Sequence, residues 1–233
     1  MTGSALATGI WALVPAKSFH RAKARLAPVL GQDARAELAQ AMLDDVLSVL
    51  KHADGLAGVL VVTGDAHVAA VAAGHGVDTL ADPGEQGTNA AVKRGLDHLK
   101  SLNAANCVVV QGDIPFLSPH EFSAVLSALR RHQLVVAPAK RDGGTNILAL
   151  GRPDLIVPAF GPDSFARHLR AAASVGISPK ILDLRGAGHD IDVPSDLENY
   201  PEIGTGPRTS ALLACRARPL PAYGRSFEEV LLP

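Results

Sequence analysis

The sequence predicts a single α/β domain in which helices cover both faces of a mainly parallel sheet. Short apolar runs that end in glycine, proline or aspartate alternate along the chain with longer segments of helical spacing. This alternation is typical of parallel sheets with crossover helices. The chain has 233 residues, of which 47% are hydrophobic and 19% charged. These values fit one three-layer α/β/α domain, or one domain followed by a tail.

The first half of the chain begins with a strand and a long basic loop. The run Ile-Trp-Ala-Leu-Val at 10–14 predicts a strand that Pro15 ends, and a cation-rich loop follows at 16–31. Residues 33–52 carry apolar side chains at helical spacing, with Asp33 as the N-cap. The other elements predicted in this half are strands at 58–63 and 77–80 and helices at 65–74 and 88–101.

The second half continues the alternation and then loses it. Residues 107–111 predict a central buried strand, and Ser118-Pro119-His120-Glu121 is a capping box that starts a helix to about 132. After Tyr200 periodicity is weak and prolines are frequent, which predicts a domain at 1–200 and a Pro/Arg-rich C-terminal tail at 201–233. The other predictions are strands at 134–137, 146–150 and 180–184, a helix from 163 or 164 to 174, and a helical turn at 226–232.

Composition argues against several classes of protein. The formal net charge of -1 gives no overall basic field for nucleic acid. Cys107 and Cys215 are far apart and predict neither a disulfide framework nor a zinc site, and Cys107 is expected in the core. No apolar run approaches the roughly 20 residues that span a bilayer, and the N-terminus lacks the pattern of a signal peptide. The expected compartment is the cytoplasm.

The basic loop is the first candidate site. It contains Lys17, Lys23 and Arg25, and no acidic residue lies between positions 17 and 25. The loop follows the first predicted strand, where nucleotide phosphates bind in doubly wound folds. Lysine and arginine side chains both suit a triphosphate. A solvated basic loop with no ligand explains these residues equally well when they are taken alone.

Three aspartates form the second candidate site. Asp113 follows Gly112 at the carboxyl end of the central strand, where open α/β sheets bind ligands. Asp190 and Asp192 form an Asp-Ile-Asp sequence that is expected to follow a strand, where alternate side chains point to one face. Magnesium prefers one or two carboxylates together with substrate phosphate oxygens. These residues indicate a magnesium-dependent phosphoryl or nucleotidyl transferase, although a lone aspartate at a strand end is more often a turn or cap residue.

Two further loops carry candidate binding residues. Gly-Gly at 143–144 permits close backbone approach to a ligand, and Thr145 and Ser164 supply hydroxyls for a carboxylate or phosphate. Asn89 closes a loop that leads into a helix and could contact a base or ribose. The alternatives are a hairpin turn at 142–144, an N-cap at Ser164 and a plain turn capped by Thr88. The sequence contains neither a P-loop motif nor a dinucleotide-binding Gly-x-Gly-x-x-Gly after the first strand.

Together these motifs resemble the phospholactate guanylyltransferase family, which acts in the biosynthesis of the deazaflavin coenzyme F-420. The resemblance extends over residues 10–200, and its motifs are weak singly but specific jointly. The motifs are Val-Pro-Ala-Lys at 14–17, Ala-Lys-Ala-Arg-Leu at 22–26, Gly-Asp-Ile-Pro at 112–115, Asp-Gly-Gly-Thr-Asn at 142–146, Phe-Gly-Pro-Asp-Ser-Phe at 160–165 and Asp-Ile-Asp at 190–192.

The resemblance implies a fold like that of nucleotide-diphospho-sugar transferases (GT-A-like), related to the molybdenum-cofactor guanylyltransferases. It implies transfer of GMP from GTP to a small phosphorylated three-carbon acid, with release of pyrophosphate and with Mg2+ as cofactor. The acceptors used across the family are 2-phospho-L-lactate, phosphoenolpyruvate and 3-phospho-D-glycerate. The resemblance does not select among them, because they differ only by small groups and by phosphate position.

The resemblance also implies roles for individual residues. Thr145, Gly161 and Ser164 correspond to the acceptor-binding residues. Asp113, Asp190 and Asp192 correspond to the magnesium ligands, and Asp113 also counts as catalytic. Lys17, Lys23 and Arg25 correspond to a catalytic clamp on the GTP phosphates, and Pro15 and Asn89 to further nucleotide contacts. One departure is that Pro15-Ala16-Lys17 replaces the glycine-rich N-terminal loop of the related sugar-nucleotide enzymes, so side chains rather than backbone amides would hold the phosphates.

Two other functions remain open at this point. The first is nucleotidyl transfer to another acceptor, such as molybdopterin or a sugar phosphate, which would need a wider pocket. The second is a non-catalytic module that binds GTP without releasing pyrophosphate. The expected partners are GTP and the phosphorylated acid, with neither nucleic acid nor membrane, and a homodimer is conceivable.

Overall fold

A seven-stranded sheet forms the centre of the computed structural model, which describes residues 9–84, 86–199, 204 and 206–217. The strand order is β3-β2-β1-β4-β6-β5-β7. Strand β6 runs antiparallel to β4 and β5, and the other neighbouring strands are parallel. The mainly parallel sheet is therefore confirmed. The strands are β1 (Ile10–Pro15), β2 (Leu56–Thr63), β3 (Asp78–Ala81), β4 (Asn106–Val110), β5 (Leu134–Pro138), β6 (Thr145–Leu150) and β7 (Lys180–Ile181).

Helices pack against both faces of the sheet. Alternate residues of β1 face opposite sides, so Ala12 and Val14 join one core with α1, α2 and α4, whereas Trp11 and Leu13 join a second core with α3 and α5. These two cores confirm the three-layer α/β/α architecture. The helices are α1 (Gln32–Lys51), α2 (Ala66–Gly74), α3 (Thr88–Ser101), α4 (Pro119–Leu129), α5 (Ser164–Ser174), α6 (Asp196–Asn199) and α7 (Pro207–Ala217).

The close approach of α3 to the sheet depends on a residue without a side chain. A Cβ atom added to Gly95 would collide with the side chains of Leu13 and Val62. This contact brings the start of α3 close to the carboxyl ends of β1 and β2, where ligands bind in such sheets.

Cys107 lies in the core, as predicted, and burial raises the pKa of its thiol to about 12, whereas Cys215 is exposed. Within the described ranges, no helix is long and apolar enough to cross a membrane.

Two elements are each three residues shorter than predicted, and Gly31 rather than Asp33 is the N-cap of α1. The strand predicted at 180–184 contains only Lys180 and Ile181, because the last bond to the neighbouring strand is donated by Leu182 N–H to the Val136 carbonyl. Leu184 then enters the core and a turn follows. The helix predicted to reach 132 ends at Leu129, with Arg130 as its C-cap.

A helix also occurs inside the segment predicted to be a tail. Helix α7 packs on α1, and Leu213 and Thr209 are buried there. The carboxylate of Asp45, on α1, accepts hydrogen bonds from the backbone N–H groups of Arg208 (3.0 Å) and Thr209 (2.8 Å). A side chain from another helix thus caps the start of α7, and the local signal is limited to Pro207 at its first position. The boundary predicted at residue 200 stays a prediction, and the helical turn predicted at 226–232 lies outside the described residues.

The cap at Asp45 gives a stability prediction. Replacing Asp45 with alanine removes the acceptor of two helix N–H groups at a buried position, so we expect a loss of about 2 kcal/mol in the free energy of unfolding. Urea unfolding followed by circular dichroism measures this loss. The conservative variant Asp45→Asn keeps one acceptor oxygen and should lose less. Equal midpoints for the alanine variant and the parent would show that the cap does not hold α7 in place.

Candidate active site

The basic loop that follows β1 is anchored by two apolar side chains. The loop contains two short 3-10 turns, Phe19–Arg21 and Ala24–Leu26, and Phe19 and Leu26 are buried against the core on the α1 side. Lys23 lies between the turns with a left-handed backbone (φ 55°). This geometry directs the Lys23 side chain inward, where only 5% of it is exposed. The loop is therefore an ordered structure that presents one buried lysine.

The Lys23 ammonium lies among the aspartates predicted from the sequence. Its Nζ is 2.6 Å from Asp113 Oδ2 and 3.7 Å from Asp192 Oδ1. Burial alone would lower the pKa of Lys23, but the carboxylates of Asp113, Asp192 and Asp190 outweigh it and raise the pKa. Lys23 is therefore a permanent cation at neutral pH. The structure thus joins the predicted basic loop to the predicted acidic cluster. Lys23 is 90 positions from Asp113 and 169 positions from Asp192 in the sequence.

The strand expected before the Asp-Ile-Asp segment is not present: residues 185–188 form a turn, and residues 190–192 belong to no helix or strand. Ile191 is buried, and its backbone N–H donates to the Asp113 carbonyl (3.4 Å). Both carboxylates lie near one guanidinium, since Arg141 Nη2 is 2.8 Å from Asp190 Oδ2 and 3.8 Å from Asp192 Oδ2. The predicted shared orientation of the two carboxylates is consistent with these contacts.

Arg141 is a site residue that the sequence analysis did not select. It lies in the β5–β6 hairpin, and its Nη2 is 2.8 Å from Asp190 Oδ2 and 3.8 Å from Asp192 Oδ2. Burial is the largest influence on Asp190 and raises its pKa, and the nearby Asp113 carboxylate raises it further, against the opposing effect of Arg141 and Lys23. The other oxygen of Asp190 is buried without a hydrogen-bond partner. The position of Arg141 directly before Asp142-Gly143-Gly144 is the only local signal for it.

A cavity of about 340 Å³ opens beside this cluster. Apolar residues of α1, among them Met42 and Leu43, form one wall, and Gln111 and Gly112 form another. The predicted site residues that line this cavity are Pro15, Lys17, Lys23, Arg25, Asp113 and Asp192. A second cavity of about 280 Å³ also borders Pro15 and Lys17 and continues toward Thr88 at the start of α3. The cations of the loop therefore lie along an open groove at the carboxyl end of β1.

The predicted nucleotide residues differ in how they are held. Lys17 is exposed and, among the described residues, forms no ion pair, so its ammonium can contact a ligand directly. The Arg25 side chain is 60% exposed, and its Nη1 is 3.0 Å from Asp192 Oδ2. Asn89 lines neither cavity, because its amide group donates to the Phe160 carbonyl (3.0 Å) and accepts from the Phe160 N–H (2.7 Å). In this structure Asn89 ties the 157–161 loop to α3.

The predicted acceptor residues lie on β6, α5 and the loop between them. Thr145 begins β6 and is buried, and Gly161 has a φ of 113°, which favours glycine. Ser164 is the first residue of α5, is fully buried, and its hydroxyl has no hydrogen-bond partner. The N-cap is Asp163, so Ser164 does not serve as the cap. Thr145, Gly161 and Ser164 do not border the 340 Å³ cavity. Asp190 does not border it either.

One hydrogen bond connects the β5–β6 hairpin to α5, and a histidine of α5 contacts Thr145. Phe165 N–H donates to the Gly143 carbonyl (3.0 Å), which joins the β5–β6 hairpin to α5. Asp142 accepts from Gly144 N–H (3.0 Å), so the predicted turn at 142–144 is confirmed. His168, one turn after Ser164 on α5, contacts Thr145 through its Nδ1 (3.0 Å). The sequence analysis missed His168, although its position four residues after Ser164 placed both on one helix face.

The carboxylates fit magnesium as a partner of substrate phosphates. Among the described residues, no group of three or more histidine, cysteine, aspartate or glutamate side chains is arranged to hold a metal ion. Magnesium needs only one or two carboxylates when phosphate oxygens complete its shell. Asp113 and Asp192 offer such oxygens beside the cavity, and the unpartnered oxygen of Asp190 is a further donor. The donor set therefore suits an ion that arrives with a nucleotide, and not a cage made by protein alone.

Comparisons with known proteins identify relatives of this chain. A phosphoenolpyruvate guanylyltransferase of Conexibacter woesei is 38% identical over 195 residues, which is 83% of this chain and 87% of that protein. A 3-phospho-D-glycerate guanylyltransferase of Phenylobacterium zucineum is 37% identical over 196 residues, or 83% and 90% of the two chains. A candidate nucleotide-diphospho-sugar transferase from Desulfovibrio desulfuricans G20 has a similar fold, with a TM-score of 0.71 at 19% identity over 90% of this chain and 95% of that one.

The family assignment follows from the extent of the match. The family model described as "Guanylyl transferase CofC like" matches residues 10–214. The match includes the basic loop, all three aspartates and the first eight residues of α7. The resemblance derived from the sequence motifs is confirmed, and the chain belongs to the CofC-like guanylyl transferase family of nucleotidyltransferases.

Proposed function

We propose that this protein transfers GMP from GTP to a small phosphorylated three-carbon acid and releases pyrophosphate. The observation that carries the proposal is the buried Lys23 ammonium between Asp113 and Asp192, at the edge of a cavity lined by further cations. Opposite charges grouped in this way can bind a polyphosphate and a divalent ion together. Family membership supports guanylyl transfer over other phosphoryl chemistry.

The reaction needs positioning and charge neutralisation more than proton transfer. A phosphate oxygen of the acid attacks the α-phosphorus of GTP, a new P–O bond forms, and the bond to the β-phosphate bridging oxygen breaks. Pyrophosphate leaves with that electron pair, and the product contains a diphosphate between guanosine and the acid. The attacking oxygen is already anionic at neutral pH, so no general base is required. Holding two anions in line and offsetting their repulsion accounts for the rate.

The chain's cations would divide this work by position. Lys17 and Arg25, both exposed at the groove, would hold the outer phosphates of GTP. Lys23 is buried and fixed, so it would act on the α-phosphate, where charge develops in the transition state. Pro15 is the last residue of β1 and borders the smaller cavity together with Thr88. The nucleoside of GTP would lie in this cavity.

Magnesium would be held by Asp113 and Asp192, with Asp190 as a further ligand. When bound, Mg2+ supplies Lewis-acid neutralisation of the phosphate oxygens. Binding would require the carboxylates to exchange part of their contact with Lys23 and Arg141 for the ion. The exchange is feasible because Asp113 and Asp192 remain partly exposed to the cavity.

The acceptor would lie toward Thr145, Gly161 and Ser164. The buried, unpartnered hydroxyl of Ser164 offers a donor for an anionic oxygen. The two relatives named above act on different acids, and their identities to this chain are 38% and 37%. Sequence similarity to these relatives therefore does not identify the acid that this protein uses. If the acid is 2-phospho-L-lactate, phosphoenolpyruvate or 3-phospho-D-glycerate, the reaction belongs to coenzyme F-420 biosynthesis.

Pyrophosphate release tests the proposal. We expect release when the full chain is mixed with GTP, Mg2+ and one of three acids, namely 2-phospho-L-lactate, phosphoenolpyruvate or 3-phospho-D-glycerate. Omitting the acid, replacing GTP with ATP, or chelating the metal should each abolish the signal. The exchange of GTP for ATP separates a guanine-specific enzyme from a general nucleotidyltransferase.

The absence of pyrophosphate release with all three acids would overturn the proposal. If GTP still bound, measured by calorimetry, two alternatives would take its place. Release with molybdopterin or a sugar phosphate would identify another acceptor. No release with any phosphorylated compound would indicate a non-catalytic GTP-binding protein.

A further inference from the structure

His168 is a buried histidine between two of the proposed acceptor-binding elements. It lies on α5, is 0% exposed, and its ring packs edge-on against Phe160 with 5.1 Å between ring centroids. One ring nitrogen faces Thr145 and the other faces Ala159, which precedes Phe160 and Gly161. No part of the proposed mechanism uses this residue. Both ring nitrogens thus have a defined partner, and these partners lie on two of the segments proposed to bind the acid.

The partners of the ring determine which nitrogen carries its hydrogen. Ala159 N–H donates to His168 Nε2 (2.9 Å), so Nε2 must be unprotonated. Burial, with a smaller effect from the neighbouring Arg167 charge, lowers the pKa of His168 to about 4, so the ring is neutral at pH 7. The single hydrogen of the neutral ring is therefore on Nδ1, and Nδ1–H donates to Thr145 Oγ1 (3.0 Å).

This bond fixes the role of the Thr145 hydroxyl. The hydroxyl oxygen is occupied as an acceptor from His168, so its own hydrogen is left to donate. Among the described residues, no other hydrogen bond to this hydroxyl is formed. A hydroxyl held in this way is preorganised to donate to an anionic oxygen such as that of a carboxylate or phosphate.

We propose that His168 is a positioning residue for the acceptor acid: its Nδ1–H holds the Thr145 hydroxyl as a donor, and its Nε2 fixes Ala159 and the turn that leads to Gly161. The same residue stands one helical turn after Ser164, so it joins all three elements of the proposed acceptor site. This inference rests on the proposed function, because it assumes that the acid binds at Thr145. It adds a residue that acts through Thr145 and does not touch the acid.

Two amide substitutions separate the two halves of this role. In His168→Asn, the amide nitrogen can take the place of Nδ1 and still donate to Thr145. In His168→Gln, the amide oxygen can take the place of Nε2 and accept from Ala159, but the donor to Thr145 is lost. We expect His168→Gln to raise the KM for the acid about tenfold to a hundredfold. We expect His168→Asn to raise it clearly less, and the KM for GTP to stay unchanged in both.

A second background checks that the effect passes through the hydroxyl. In Thr145→Val the hydroxyl is absent, so adding His168→Gln should change the KM for the acid little further. Equal increases in the KM for the acid in His168→Gln and His168→Asn would show a merely structural role and overturn the proposal. Additive increases from Thr145→Val and His168→Gln in the double variant would do the same. Thermal unfolding of each variant establishes that the protein compared is folded.

A measurement without catalysis keeps this test separate from the test of function. The 15N spectrum of the imidazole rings at pH 7 should show His168 in the Nδ1–H form, and a ring protonated at Nε2 would overturn the proposal. If the parent protein releases no pyrophosphate with any acid, the proposed function fails whatever this spectrum shows. If the parent is active and His168→Gln binds the acid normally, only the inference about His168 fails.

Discussion

Replacing Lys23 with methionine is expected to lower kcat for guanylyl transfer about 10³-fold. The methionine keeps an unbranched chain in the buried position and removes the charge. Lys23 is the only described lysine that pairs with two of the three site aspartates, at 2.6 and 3.7 Å. Without it, the charge on the transferring phosphate and on the carboxylates is no longer offset at a site largely removed from water. Steady-state pyrophosphate release over a range of GTP and acid concentrations measures the loss.

A distant lysine provides the matched control for this variant. Lys93, on α3, is 74% exposed and pairs with Asp97 on the same helix, so Lys93→Met should leave kcat within about twofold of the parent. Thermal unfolding establishes that Lys23→Met remains folded. A folded Lys23→Met protein with near-normal kcat would exclude Lys23 from the catalytic machinery.

The second large effect is expected at Asp113. Asp113→Asn keeps the shape of the side chain and removes its negative charge, so it should lower kcat about 10³-fold. The Mg2+ concentration that gives half-maximal rate should rise at the same time, because an amide is a weaker ligand than a carboxylate. The exposed Asp97→Asn is the matched control and should change neither value. Rates measured across a Mg2+ titration separate the two effects.

Two results at the acidic cluster would contradict this assignment. One is an Asp113→Asn protein with normal turnover and a normal Mg2+ requirement. The other concerns Asp192, whose oxygens contact both Lys23 and Arg25. A thermally stable Asp192→Ala protein with near-normal turnover would rule out its role in holding the metal.

The sequence predicted the sheet well where the signals were local. Buried strands such as 107–111 were recognisable because continuous apolar runs ended at Gly-Asp or Pro, and helix α4 because its capping box is complete. The two-residue strand β7 was overestimated, since an apolar run does not show where its pairing ends. Helix α7 was not recognised because its cap, Asp45, belongs to a helix more than 160 positions earlier.

The candidate site shows the same division. Lys23 and Asp113 could be selected from their positions next to strands, but their direct contact could not be predicted, because they are 90 residues apart. Arg141 has no distinctive local pattern, and its ion pair with Asp190 exists only after the hairpin has packed. His168 shared a helix face with Ser164, yet the tautomer that gives it a role depends on Thr145 and Ala159, which lie on other segments.

The most direct test of the account is 31P NMR of the products formed from GTP, Mg2+ and the acid that supports pyrophosphate release. If guanylyl transfer occurs, the monophosphate signal of the acid disappears and two mutually coupled signals of a new unsymmetrical diphosphate appear. Pyrophosphate should form in an equal amount. Formation of GDP and orthophosphate, with the signal of the acid unchanged, would mean that the protein hydrolyses GTP and would contradict guanylyl transfer.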